Sequence, residues 1–404
     1  MRIAGLFAGI GGIELGFHRA LGEAAQAELL CESWEPAQSV LRARFPGVEL
    51  HPDVRELRDL PSGLDVLCAG FPCTDLSQAG RTAGITGSAS GLVAHVFEAL
   101  RLTSARSERL PWLVIENVPN MLTLDKGKAM AYLVQEIESL GYRWAYRVVD
   151  SRFTGVPQRR RRVIMVASTT EDPRAVLFAD DSGERPATDL KDDAFGFYWT
   201  EGRGGLGWAQ DAVPTLKGGS TVGIPSPPAV WVPGAPDDRV FVTPSVEDAE
   251  AMQGFDRGWT DVATNGRKNG PRWKLVGNAV TTGVAEWVAG RIAAAGVPLA
   301  DLAGPRVADR WPAAAWGEAG VAHAVAVSEF PRLDSYEHLS SVMDFSVATP
   351  LSARAINGFW TRLSQGNLGR IDGFRRDVTR YRQLAILESG IGGAVLPMSG
   401  LTVS

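Results

Sequence analysis

Cysteine is scarce in this sequence, and the sites that cysteines commonly build are missing. The 404 residues include three cysteines, none of which belongs to a Cys-x-x-Cys pair or a Cys/His cluster. This argues against a disulfide framework and a structural zinc site, and it predicts no bound metal. We therefore expect reduced thiols, a state that suits a thiolate nucleophile.

Long hydrophobic runs are also missing. No uninterrupted apolar run approaches the roughly 20 residues that a membrane-spanning helix needs. The first residues lack the basic stretch of a secretory signal. We therefore expect a cytoplasmic protein with no membrane partner.

The chain has no overall positive charge. Its formal net charge is −5, so any binding of nucleic acid must depend on local basic surfaces. Two such surfaces are present in the sequence. Arg159–Arg162 form a run of four arginines, and residues 352–383 hold seven arginines against two aspartates.

The first part of the chain alternates between strand-like and helix-like patterns. Arg2 to Phe7 has the pattern of a buried strand, Ala8 to Gly12 of a glycine turn, and Ile13 to Leu21 of a helix. Further strands are predicted at 27–31, 65–69, 112–115 and 163–167, and helices at 37–44, 91–100 and 128–140. This alternation predicts an α/β fold with a parallel, helix-covered sheet up to about residue 168.

Three regions are expected from these patterns. A catalytic domain at 1–168 would be completed by 272–295, followed in sequence by a small loop-rich domain at 169–271 and a C-terminal extension at 296–404. The extension interleaves arginines with Phe359, Trp360, Phe374 and Tyr381. This pattern predicts contact with DNA, or else a helix that packs through its aromatic face; the arginines are Arg354, Arg362, Arg370, Arg375, Arg376, Arg380 and Arg382.

A glycine turn and two acidic residues predict an adenosine pocket. Gly9, Gly11 and Gly12 follow the first strand and let a ligand approach the backbone closely. Glu32 follows the second strand, where it could accept hydrogen bonds from ribose hydroxyls, and Asp53 could accept one from an adenine amino group. Each acid alone also suits a solvated loop. No Gly-Lys-Ser/Thr follows the turn, so a nucleoside without a triphosphate fits better than ATP.

Three further features carry reactive groups. Cys73 follows an apolar strand on a loop bounded by Gly and Pro, where open α/β sheets place their chemistry. Glu116 ends another strand, where partial desolvation would let it act as an acid at neutral pH. Arg159–Arg162 lead into a strand, a position that suits contacts with anions or carbonyl oxygens. In isolation, Cys73 would also fit a buried core thiol, Glu116 a helix cap, and the four arginines a solvated charge run.

In this order, the features resemble the DNA cytosine-5 methyltransferase family over most of residues 1–293. The resemblance rests on the motifs at Phe7–Gly12, Pro72-Cys73, 116–118, 158–162, 252–255 and 277–280. It implies a Rossmann-like class I methyltransferase sheet with S-adenosyl-L-methionine as the cofactor. The cofactor would then be bound by Phe7, Gly9, Gly11, Gly12, Glu32, Trp34, Asp53, Pro72 and Asn278.

The resemblance also implies a covalent mechanism on a cytosine that is flipped out of duplex DNA. Cys73 would add to C6 of the ring, a protonated Glu116 would act at N3, and Arg162 would hold O2. Arg160 would be the second catalytic arginine. Ser77, Arg81 and Arg159 would contact the DNA.

The sequence departs from the family pattern at the target-recognition region. Residues 169–238 form a shorter and more Gly/Pro-rich span than similar enzymes have between the arginine motif and the Gln-Gly-Phe motif. A transfer-RNA cytosine-5 methyltransferase stays an alternative because it shares the catalytic motifs, and so does a catalytically silent DNA-binding homologue. We expect a monomer that acts on double-stranded DNA. This function also allows a cognate restriction system as a second partner.

Overall fold

The computed structural model describes residues 1–72, 91–106, 108–201, 205–218, 227–264, 270–299, 302, 304–308 and 310–389. Cys73, Ser77 and Arg81 lie outside these ranges. The chain divides into two compact units. The larger unit comprises Met1–Asp189, Thr215–Pro225 and Val246–Glu337, and the smaller unit comprises Leu190–Pro214, Ser226–Ser245 and His338–Ser404.

Strands and helices are numbered in chain order. The strands are β1 (Arg2–Leu6), β2 (Gln26–Cys31), β3 (Glu49–His51), β4 (Val66–Ala69), β5 (Trp112–Asn117), β6 (Arg143–Asp150), β7 (Gln158–Arg159), β8 (Arg161–Ser168), β9 (Phe195–Phe197), β10 (Ala209–Gln210), β11 (Val213–Pro214), β12 (Ala229–Trp231), β13 (Phe241–Thr243), β14 (Ala314–Glu318), β15 (Val321–Ala324) and β16 (Thr349–Pro350). The helices are α1 (Gly12–Leu21), α2 (Glu35–Arg44), α3 (Leu92–Ala105), α4 (Lys128–Ser139), α5 (Arg174–Leu177), α6 (Val246–Met252), α7 (Arg272–Asn278), α8 (Thr282–Ala293), α9 (Leu339–Val342), α10 (Ala353–Ser364) and α11 (Phe374–Ser389).

The larger unit is built on a mixed sheet with the strand order β15-β14-β6-β8-β5-β4-β1-β2-β3. The strands from β3 to β5 in this order are parallel, as predicted. The prediction of a parallel sheet up to residue 168 is wrong for β8, which runs antiparallel to both β5 and β6. Because Leu6, Ala69 and Ile115 lie in register, the residues that follow β1, β4 and β5 meet at one edge of the sheet.

Helices cover both faces of this sheet. Successive side chains of a strand point to opposite faces, and β1 accordingly places Leu6 in one apolar core and Ile3 in the other. Helices α1 and α8 pack closely on the second face. A Cβ at Gly16 would lie 2.5 Å from the Cβ of Ala285, so the approach of α8 requires glycine at that position.

The smaller unit contains an antiparallel sheet with the order β10-β9-β12-β13-β16. Helices α10 and α11 contribute Phe359, Phe374 and Tyr381 to its core, where these side chains are 0%, 0% and 5% exposed. The ring centroid of Phe374 lies 5.2 Å from that of Phe197 and 5.4 Å from that of Trp231. The aromatic side chains of the C-terminal segment therefore fill an apolar core.

These units differ from the three regions expected from the sequence. Residues 296–404 do not form one extension, because β14 and β15 continue the main sheet while His338 onward belongs to the smaller unit. Residues 246–271 belong to the larger unit, not to the small domain. The segment from His338 onward joins the smaller unit because α10 and α11 supply the apolar cover that β12 and β13 need.

Within the described residues, no helix is long and apolar enough to cross a membrane.

Candidate active site

A cavity of about 450 Å³ opens at the edge of the sheet where β1, β4 and β5 end. Most of the described residues predicted for the site line it. The lining includes Phe7, Gly9, Glu32, Trp34, Pro72, Glu116, Arg160, Arg162 and Asn278. The structure therefore brings together side chains from motifs that are up to about 270 residues apart in the sequence.

The glycine turn after β1 shapes one wall of the cavity. Phe7 and Gly9 both have φ +59°, and a Cβ at Gly9 would meet no atom within 4 Å. Gly11 and Gly12 have another role, since a Cβ at Gly11 would overlap the Phe45 ring and one at Gly12 would lie 2.6 Å from the Val280 carbonyl oxygen. These two glycines permit close packing behind the turn and do not line the cavity.

Glu32 is the acidic group at the end of β2. Its carboxylate accepts hydrogen bonds from the backbone N–H of Gly9 (2.9 Å) and of Trp34 (2.8 Å). Burial raises the pKa of Glu32, although these N–H donors oppose the shift. The remaining lone pairs of the two oxygens can accept hydrogen bonds from a diol.

Trp34 and Lys274 form a cation–π pair that lines the cavity. The Lys274 Nζ atom lies 4.5 Å from the centroid of the Trp34 ring. Lys274 is four residues before Asn278 on α7, so both side chains lie on one face of the helix. Sequence reasoning missed Lys274, and this spacing is the signal that could have found it.

Asp53 does not join the other predicted cofactor residues. It lies beyond the end of β3, where the Arg55 Nε atom donates to its carboxylate at 2.9 Å. This hydrogen bond from Arg55 lowers the pKa of Asp53 to about 2. Asp53 is not among the residues that line the cavity in the described part of the chain.

Glu116 and Arg162 form an ion pair at the cavity wall. The distance from the Arg162 Nε atom to the Glu116 Oε1 atom is 2.7 Å, and the two side chains are 13% and 12% exposed. The next residue, Asn117, donates from its side-chain amide to the Phe71 carbonyl oxygen at 3.0 Å. This hydrogen bond ties the end of β5 to the chain immediately before Pro72 and Cys73.

The Arg160 side chain is buried, and its guanidinium contacts main-chain carbonyl oxygens. It is 2% exposed, and its guanidinium donates to the carbonyl oxygens of Leu216 (3.2 Å), Gly277 (3.2 Å) and Ala279 (2.7 Å). The donors of Arg160 hold main-chain segments together, which supports a positioning role, and its contact with the substrate stays a prediction. Arg159 is exposed, and its carbonyl oxygen accepts a hydrogen bond from the Thr215 hydroxyl.

Two buried glutamines connect the late motifs of the chain. The side-chain amide of Gln158 donates to the Gln253 side-chain oxygen at 3.0 Å, and Gln253 donates to the Val276 carbonyl oxygen at 2.9 Å. The Thr281 hydroxyl also donates to Gln253 at 2.7 Å. The network joins β7, the end of α6, α7 and the turn after α7, and so fixes the end of α7 that carries Asn278.

Comparison with known proteins identifies the family. The family model described as "C-5 cytosine-specific DNA methylase" matches residues 1–192. The Type II methyltransferase M2.BsuMI of Bacillus subtilis (strain 168) is 44% identical over 391 residues, which cover 95% of this chain and 98% of that protein. The chain belongs to the C-5 cytosine-specific DNA methylases. A second relative, the Type II methyltransferase M.BsuFI of Bacillus subtilis, is 33% identical over 164 residues, which cover 40% of this chain and 37% of that protein.

Solved structures share the fold of this C-5 cytosine-specific DNA methylase. The Dnmt2 methyltransferase of S. pombe matches with a TM-score of 0.50 at 12% identity, covering 72% of this chain and 98% of that chain. The Entamoeba histolytica methyltransferase EhMeth matches with a TM-score of 0.50 at 14% identity, covering 72% and 97% of the two chains. The Rossmann-like methyltransferase sheet predicted from the sequence is thus confirmed.

The cofactor of this methylase is S-adenosylmethionine, and the residues of the cavity fit it. The open space above Gly9 admits a ligand against the backbone, and the buried Glu32 carboxylate retains acceptor capacity for ribose hydroxyls. Trp34 offers an aromatic surface for the adenine, while Pro72 and Asn278 lie along the same lining. When bound, S-adenosylmethionine supplies an electrophilic methyl group on its sulfonium.

Proposed function

We propose that this enzyme methylates C5 of a cytosine flipped out of double-stranded DNA, through a covalent adduct with Cys73. The observation that carries the proposal is the ion pair between Glu116 and Arg162 at the cavity wall, beside the tethered residues that lead to Cys73. A carboxyl group and a guanidinium that lie side by side can form hydrogen bonds with the neighbouring N3 and O2 atoms of cytosine.

Each of these side chains has one task in the proposed chemistry. C5 of cytosine is too weak a nucleophile to attack a methyl donor, so the Cys73 thiolate first adds to C6 and makes the ring an enamine. The protonated Glu116 donates to N3 and offsets the charge that this addition pushes onto the ring. Arg162 exchanges its contact with Glu116 for the O2 atom of the base. After C5 has taken the methyl group, loss of the C5 proton to a base, elimination of the Cys73 thiolate and return of the N3 proton to Glu116 restore the aromatic ring.

The smaller unit is proposed to read the DNA. Its C-terminal helices compensate for the short span at 169–238, because they complete the core of the strands in that span. Four arginines of the segment form two groups. Arg362 and Arg375 donate to main-chain carbonyl oxygens, whereas Arg354 and Arg370 are exposed and suited to phosphate groups.

The covalent step is tested with a duplex that carries 5-fluorocytosine at the target. Fluorine cannot leave as a proton does, so the wild-type enzyme should form an adduct that survives denaturation. The Cys73→Ser variant should bind S-adenosylmethionine but give no adduct and no methylation. Methylation by Cys73→Ser would contradict the mechanism. Transfer RNA as a competing substrate separates the proposed activity from the RNA alternative.

We also propose that the enzyme acts in the cytoplasm as a monomer and protects sites that a cognate restriction endonuclease cuts. The support for the restriction partner is that the relatives above are named Type II methyltransferases. Bisulfite sequencing of host DNA with and without the gene would map the sites. Sedimentation of the enzyme on a duplex with one such site would give the stoichiometry.

A further inference from the structure

A short stretch at residues 215–218, termed the linker segment, lies beside the end of α7 that carries Asn278. It belongs to the larger unit and follows directly on Pro214, the last residue of β11 in the smaller unit. The six motifs on which the family resemblance rests do not include this segment. Its contacts nevertheless reach both the arginine motif and the cofactor side of the cavity.

On one side, the linker segment is held by the arginine motif. The Leu216 N–H donates to the Gln158 side-chain oxygen at 3.0 Å, and the Leu216 carbonyl oxygen accepts from Arg160 at 3.2 Å. The Thr215 hydroxyl donates to the Arg159 carbonyl oxygen at 2.9 Å. Leu216 itself is 1% exposed, so the segment is anchored by both hydrogen bonds and burial.

On the other side, the linker segment contacts α7 and the turn after it. A Cβ at Gly277 would overlap the backbone of residues 217–218, which shows that the two main chains touch. A Cβ at Gly218 would lie 2.8 Å from the Asn278 Oδ1 atom and 3.3 Å from the Lys274 Cγ atom. Both of these side chains line the cofactor cavity.

Arg160 joins the two sides. The same guanidinium donates to Leu216 in the linker segment, to Gly277 near the end of α7 and to Ala279 just after it. A displacement of the linker segment therefore changes the positions that Lys274 and Asn278 can occupy. In a close-packed interior such displacements are transmitted instead of being absorbed locally.

We propose that the linker segment is a positioning element that makes the affinity for S-adenosylmethionine depend on DNA binding. The inference rests on the proposed function, in which the smaller unit reads the DNA. Binding of DNA to the smaller unit shifts residues 215–218, and Arg160 is the positioning residue that couples this shift to the end of α7. The shift changes the positions of Lys274 and Asn278 in the cofactor cavity. By linkage, the cofactor must raise the affinity for DNA by the same factor by which DNA raises the affinity for the cofactor.

The test measures cofactor binding by calorimetry, with and without a duplex that carries the mapped site. For the wild type we expect the duplex to tighten S-adenosylmethionine binding by roughly 5- to 150-fold, the usual range of such coupling. Gly218→Ala should displace the Asn278 side chain without strain in the backbone. We expect it to weaken cofactor binding without DNA by about tenfold and to cut the DNA-dependent gain at least fivefold.

Gly290→Ala is the matched control, because a Cβ at this helical position meets no atom within 4 Å. It should behave like the wild type. Equal cofactor affinity and equal coupling in Gly218→Ala and Gly290→Ala would overturn the inference. Failure of the proposed function is distinguishable, since it would remove DNA methylation from the wild type itself.

Arg160→Lys gives an independent measurement. Lysine keeps the charge but cannot reach all three carbonyl oxygens from one planar group. We expect a cofactor dissociation constant about tenfold higher in the folded variant, with a smaller gain on adding the duplex. A variant with a lower melting temperature but wild-type cofactor affinity and coupling would show a merely structural arginine and contradict the inference.

Discussion

The catalytic edge of the larger unit and the core of the smaller unit are assembled in different ways. At the edge, Phe7, Pro72 and Glu116 lie at or just after the ends of the parallel strands β1, β4 and β5, which bring these short motifs together. Arg162 joins them from the start of β8. The smaller core instead combines side chains from three separate stretches of chain, such as Phe197, Trp231 and Phe374. Chemistry in this enzyme is therefore encoded locally, whereas the proposed reading unit depends on contacts between distant segments.

The largest expected effect concerns the local chemistry. Glu116→Gln keeps the shape of the side chain but removes its acidic proton. We expect the single-turnover rate of methyl transfer to fall by roughly 10²–10⁴, the range for losing a positioned acid, while DNA affinity persists. Rapid-quench measurements at saturating cofactor and DNA check this. A wild-type rate would show that Glu116 is structural and that the motif is not the centre of the chemistry.

The next effect concerns the distributed core. Phe374→Ala removes a fully buried ring that contacts aromatic residues of β9, β12 and β13. The cost of such a truncation is about 3–5 kcal/mol of unfolding free energy. We expect DNA binding to be lost while S-adenosylmethionine still binds, as measured by calorimetry. Leu387→Ala, at an exposed position on the same helix, is the control.

A smaller effect separates the two groups of arginines in the smaller unit. Arg354→Ala should weaken DNA binding and lower the slope of log affinity against log salt by about one, because one phosphate contact is lost. Arg375→Ala should instead lower the melting temperature, since its guanidinium donates to the carbonyl oxygens of Leu363, Gly366 and Leu368. An unchanged salt slope in Arg354→Ala would remove this residue from the DNA surface.

The smallest effect is a pH dependence within the larger unit. Glu14 on α1 is 3% exposed, and burial raises its pKa to about 7. The native state binds this proton more tightly than the unfolded chain, where the pKa is about 4.3. Stability present at low pH is therefore lost as the pH rises through about 7. Glu14→Gln should raise the melting temperature by roughly 2–4 °C at pH 8, and by less at pH 5.

The comparison of the two regions explains what could be predicted from the sequence. The opening β-turn-α unit and the position of Glu32 after β2 follow from local patterns and the geometry of parallel strands. The meeting of Glu116 with Arg162 depends on the antiparallel pairing of β5 with β8, which the sequence pattern did not predict. The role of Arg160 could not be predicted, because its acceptors Leu216 and Ala279 are far from it in the sequence and carry no side-chain signal. Asp53 was expected to accept a hydrogen bond from an adenine amino group, and this stays a prediction; the ion pair of its carboxylate with Arg55, two residues away, carries no signal in the sequence pattern.

The smaller unit was the hardest region to predict. Its strands are two or three residues long in the described part of the chain, too short for a periodic pattern. For the aromatic residues of α10 and α11, the sequence leaves two interpretations open, contact with DNA or packing through an aromatic face. Only the tertiary structure shows that Phe359 and Tyr381 face β13 and its neighbours.

The three-part construction of the smaller unit also affects synthesis of the enzyme. The ribosome makes β9, β12 and β13 well before α10 and α11, so a nascent chain shows the rings of Phe197, Trp231 and Phe241 to solvent until the last segment emerges. Exposed apolar surface of this kind makes unfinished chains prone to aggregation and recruits chaperones. A premature stop before His338 would thus release a chain with an uncovered aromatic sheet, which the cell must remove.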